Sequence, residues 1–142
     1  MRRLQPGDER AIEAFLARHA DASLFLRSNL RAGGLVDHGD PFQATWAGGF
    51  EEGALVAVAA HAWNGNVVLQ APRGLAEVVR CSVATSGRPL RGIVGEWDQL
   101  VAAREALGVA DRRARFTSRD DLLALDVSAL VVPAALARGE VR

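Results

Sequence analysis

The chain has 142 residues, with 17 basic side chains balanced by 17 acidic ones. That length suits one domain with a proper core, and zero net charge leaves no bulk electrostatic case for nucleic acid or an anionic membrane surface. One cysteine, Cys81, excludes an intrachain disulfide framework and any cysteine-cluster metal site.

The start, Met1-Arg2-Arg3, leads into Gln5-Pro6-Gly7-Asp8 and not into an apolar run, so no signal peptide is read here. The most apolar stretch, Leu55 to Ala62, is too short to cross a bilayer. A cytoplasmic protein with no membrane partner is the expectation. Leu4 and its neighbours form a candidate first strand. Asp8 is a candidate N-cap for a helix with Ile12, Phe15, Leu16 and His19 on one face. Asp21 is a candidate cap for a second helix ending at Gly33-Gly34, with Ala22, Leu26 and Leu30 on its face. Leu24 lies off that face, which predicts a contact with another domain or subunit. Arg27 and Arg31 lie one turn apart, either solvated or on an anion. The loop Asp37-His38-Gly39-Asp40-Pro41 is rich in turn formers; no second ligand cluster accompanies it, and no metal is expected.

Phe42 to Arg80 organises the chain. Phe42, Ala44, Trp46, Gly48 and Phe50 alternate as on a half-buried strand. Glu51-Glu52-Gly53 is a turn, and Leu55 to Trp63 a second strand. Asn64-Gly65 predicts a type I′ hairpin into a third strand, Asn66 to Gln70. On the second strand His61 shares a face with Leu55, Ala57, Ala59 and Trp63 by simple alternation. Ala57, Ala59, Ala60 and Ala62 leave room for a closely packed helix or a ligand. Leu75 to Ser86 reads as a helix and Leu90 to Gly95 as a short strand. Strand, helix, strand in succession predicts parallel pairing of Val67–Gln70 with Arg91–Val94. Glu96 to Leu107 is the fourth helix, with Trp97, Leu100 and Val101 on its face and Arg104 inside that stripe, snorkelling to water or paired with a carboxylate. Asp111 to Arg115 is charged loop. Phe116 to Val127 looks extended towards its end, and Ala134 to Arg138 helical, stopped by Gly139. The expected core is Ile12, Phe15, Leu16, Leu26, Leu30, Trp46, Val56, Val58, Val68, Val78, Val79, Ile93, Leu100 and Val101. The fold class is α/β (α+β), a mixed and mainly antiparallel sheet with helices on both faces. Residues 1–138 form the domain, and 139–142 begin a linker or a following domain.

This order of elements resembles the GNAT (N-acetyltransferase) fold. The words Ser23-Leu24-Phe25-Leu26-Arg27-Ser28-Asn29-Leu30, Trp63-Asn64-Gly65-Asn66 and Leu123-Ala124-Leu125-Asp126 look like the degenerate N-terminal half of bacterial tandem-GNAT proteins. The resemblance implies an acyl-CoA pyrophosphate held by a Gln/Arg-x-x-Gly-x-Gly/Ala loop at a helix start. Here that stretch is Gln70-Ala71-Pro72-Arg73-Gly74. Gln70 and Gly74 stand one residue too far apart, and Pro72 removes an amide donor. The Tyr that serves the family as general acid has no counterpart, because the chain contains no Tyr. The implied cofactor-binding residues are Gln70, Arg73 and Gly74, with acetyl-CoA bound weakly or not at all. The implied partner is a catalytic GNAT domain or a second copy. Two other functions remain open: an active N-acetyltransferase with His61 or Glu96 as base, or a small-molecule sensing domain.

Overall fold

A computed structural model describes residues 1–123, 126–129, 131–134 and 138. The elements are β1 (Arg2–Arg3), α1 (Glu9–Ala17), α2 (Leu24–Gly33), β2 (Ala44–Glu51), β3 (Ala54–Ala62), β4 (Asn66–Gln70), α3 (Leu75–Ser86), β5 (Gly92–Val94) and α4 (Trp97–Ala106). Among the described residues the strands form one sheet in the order β1-β2-β3-β4-β5. The first three pairings are antiparallel and β4–β5 is parallel, with Asn66 opposite Gly92 and Val68 opposite Val94. No helix among these residues is long and apolar enough to cross a membrane.

Alternation along the strands divides the core in two. Val58, Ala60, Ala62, Trp46 and Val68 meet Ile12, Phe15 and Leu16 of α1 and Leu26 and Leu30 of α2. Ala47, Ala57, Ala59, Val67 and Leu69 meet Val78 and Val79 of α3 and Ala103 of α4. The alanines of β3 therefore admit helices on both faces. Helices flank the sheet as the sequence predicts.

Several details differ. The register of β2 against β3 shifts between Gly49 and Phe50, and the bulge returns Leu55 to the α1–α2 face. Trp63, past the end of β3, packs on that face too, against Phe42. His61 thus shares its face with Ala57 and Ala59 but not with Leu55 or Trp63. Asn64-Gly65 is not a type I′ turn: Gly65 has φ 82°, but Asn64 stays out of the positive-φ region. The turn at Glu52-Gly53 takes that geometry instead, with φ 49° and 81°. Asp8 makes no side-chain cap; its carboxylate is held by Arg2 and by the Gln5 N–H. Ser23, not Asp21, precedes α2. On α4, Ala103 is buried while Val101 and Trp97 are exposed and Leu100 is half-buried; Ile93 is half-buried as well. Arg104 neither snorkels nor pairs with a carboxylate, but donates to the carbonyls of Val109, Ala110 and Arg112, closing the helix end. Residues 116–123 form no strand. At the far end of that expected extension Val127 opens a 3-10 helix, Val127–Ala129, instead of a strand; Ala124 and Leu125 lie outside the described residues, as do most of the Ala134–Arg138 piece, its Gly139 stop and residues 139–142.

Candidate functional site

Two polar clusters sit at opposite ends of β4. Val67, opposite His61, and Gln70 are about 10 Å apart along an extended strand.

The first cluster closes the seam beyond the β4–β5 ladder. Gln70 is buried, and its Nε2 donates to Glu96 Oε2 at 3.3 Å. Gln99 Nε2 donates to the same oxygen, and Gln99 Oε1 accepts the Ala71 N–H at 2.7 Å. Glu96 stands at the start of α4, so β5 and α4 together carry the carboxylate to the end of β4. Gly95 lies so close to Leu69 that a Cβ there would sit 3.2 Å from the Leu69 carbonyl oxygen. The strands therefore remain together past their last paired residues. Gln70 Oε1 is buried without a hydrogen-bond partner, which leaves the cluster one donor short. Gln99 escapes sequence reasoning, although its spacing of three from Glu96 on one helix is the signal that pairs them.

Beside this cluster α3 begins. Gly74 holds φ 62°, and its position where a Cβ would stand is 2.6 Å from Met1 Cε. Arg73 pairs with Glu51 across an open cleft of about 620 Å³ lined by Glu51, Glu52, Ala54, Val56 and Arg73. Glu77 lies in the first turn of α3. The partial positive charge of the helix start is thus met by the chain's own carboxylate. The cluster assembles Gln70 and Glu96, but Arg73 and Gly74 face Glu51 and Met1 instead of a shared cradle.

The second cluster surrounds His61, which is fully buried. The Gly65 carbonyl can only accept, so Nε2 carries the proton and donates at 3.2 Å. Nδ1 then accepts from the Ser86 hydroxyl at 2.5 Å. Burial pushes the imidazole below its ordinary pKa, and the nearby Arg88 cation acts the same way. Arg88 Nη1 reaches the His61 carbonyl and its guanidinium clasps Asp37, whose carboxyl also accepts from Thr45 Oγ1 at 2.6 Å. Both ring nitrogens are engaged and the ring is covered, which is a structural role and not that of a solvent-facing base. Arg27 and Arg31 both engage Glu13, so neither is a free anion site. Among the described residues no group of three or more His, Cys, Asp or Glu side chains converges on a metal position.

Comparison of the chain with family models, curated proteins and solved structures gave no match in any of the three.

Proposed function

We propose that this chain is a GNAT-like domain that does not transfer acetyl groups by itself and supports a catalytic GNAT domain. The observation that carries this reading is the Gln70–Glu96–Gln99–Ala71 bridge. It joins the end of β4 to the start of α4 at the place where the resemblance puts an acyl-CoA. The residues present do not fit that cofactor. A pyrophosphate at the start of α3 would meet Glu51, Glu52 and Glu77, while Arg73 is already paired with Glu51. Met1 covers Gly74 and Pro72 has no N–H to offer. Repulsion between these carboxylates and a diphosphate opposes binding, since preorganised donors give such sites their strength.

A second reading, small-molecule sensing, draws on Gln70 Oε1. An unpaired buried acceptor beside the Glu96 carboxylate suits an amine or amide donor.

The test is release of free thiol from acetyl-CoA by the folded chain over a panel of primary amines. Background release throughout is the expected result. Turnover that Glu96→Gln abolishes would establish an enzyme and end this reading.

A further inference from the structure

α2 buries one face and leaves the other bare. Leu26, Asn29 and Leu30 are buried, while Leu24, Phe25, Ser28, Arg31 and Ala32 are exposed. Spacings of four and seven set Leu24, Ser28 and Arg31 in one row along the outer face, with Phe25 and Ala32 beside it. Leu24 and Phe25 are each 62% exposed. Large apolar residues exposed singly need no partner, but an adjacent pair at the head of an amphipathic helix is a contact patch.

Opposite charges frame this row. Asp21, about one turn before Leu24, is exposed and, among the described residues, belongs to no ion pair. Ser23 takes the position before the helix, so the Asp21 carboxylate is not used as a cap. At the other end the Arg31 side chain is 67% exposed and gives only Nη2 to Glu13, at 3.1 Å. Its remaining guanidinium donors have no partner among the described residues.

We propose that this face of α2 is a homodimer contact, occupied by α2 of a second copy running antiparallel across a two-fold axis. A face with a carboxylate at one end and a guanidinium at the other complements itself when reversed, which selects a second copy as the occupant. Setting Leu24 beside Ser28 of the other copy brings Asp21 beside Arg31, since each lies three positions further out along its own chain. The two-fold axis repeats both contacts, so two Asp21–Arg31 pairs flank a centre made of Leu24 and Phe25 from both copies. Small Ser28 leaves room for the facing Leu24. One ten-residue helix per copy is a small contact, so the dimer is weak and reversible. This assembly does not depend on the acetyltransferase resemblance.

Sedimentation equilibrium of the full chain at up to about 1 mM should show a monomer–dimer equilibrium. Leu24→Arg should weaken association about tenfold or more. The thermal transition of that variant should persist, because Leu24 is exposed in the single copy. Charge variants identify the occupant. Asp21→Arg alone and Arg31→Asp alone each set like charges against one another and should sediment as monomers. Mixed in equal amounts, the two variants face each other with opposite charges at both ends, and the dimer should return. A monomer at all concentrations, a dimer indifferent to Leu24→Arg, or a mixture that stays monomeric would overturn the proposal.

Discussion

Asp37 and Arg88 form a bidentate ion pair, with Nη1 donating to Oδ2 at 2.7 Å and Nη2 to Oδ1 at 2.5 Å. The pair ties the loop after α2 to the turn that leads into β5. It therefore fixes the entry of the only parallel strand in the described sheet.

Arg88→Met should leave a nearly covered carboxylate without its cation. The expected loss is about 2–4 kcal/mol at pH 7, towards the low side for a broken buried pair because Arg88 is itself partly exposed. The Arg88 hydrogen bond, and next to it the Thr45 hydroxyl, hold Asp37 down to about 2 from 3.8, against the opposing effect of burial. A depressed carboxylate pKa stabilises the fold above the unfolded value and loses that stability as pH falls through the folded one. Urea titrations of parent and variant should thus differ at pH 7 and converge towards pH 2. An equal gap at both ends would show that the lost contact is packing and not charge.

His61 acts in a higher pH window, with the same sign. Its folded pKa lies below 6.5, chiefly because burial disfavours the cation. The unfolded chain therefore binds a proton first as pH drops, and stability declines below about 6.5. His61→Gln should flatten the stability profile between pH 6.5 and 5, measured by thermal melts. A profile unchanged by the substitution would assign that slope to other groups.

Gly33 closes α2 under the Phe42 backbone. A Cβ there would lie 2.7 Å from the Phe42 carbonyl oxygen and 2.9 Å from the Gln43 nitrogen. Alanine favours a helix over glycine by up to about 1 kcal/mol. Displacing backbone costs more, typically about 1–3 kcal/mol. Gly33→Ala should therefore be destabilising by about 1 kcal/mol in chemical denaturation. A stabilised variant would mean that the loop at Phe42 yields freely.

Much of the fold was legible because it rests on periodicity. The alternation of Ala44, Trp46 and Gly48, and the helical spacing of Ile12, Phe15 and Leu16, encode burial directly. The β3 bulge was not legible, since nothing in Leu55-Val56-Ala57 announces an extra residue, and it moved Leu55 to the other face. Side-chain size points to the wrong face of α4: small Ala103 packs closely, while larger Val101 and Trp97 stay exposed. Gln70 is legible at the end of a strand and Glu96 at the start of a helix, but their contact depends on the parallel pairing of β4 and β5. The Asp37–Arg88 pair spans 51 positions, a distance over which sequence carries no local signal.

Calorimetric titration of the folded chain with acetyl-CoA tests the central claim most directly. The carboxylates around the start of α3 and the bridged seam between Gln70 and Glu96 predict no binding heat up to millimolar ligand. Micromolar binding that weakens when Arg73 is replaced by alanine would contradict the account. It would show that Arg73 leaves Glu51 for the pyrophosphate and that the seam opens to admit the cofactor.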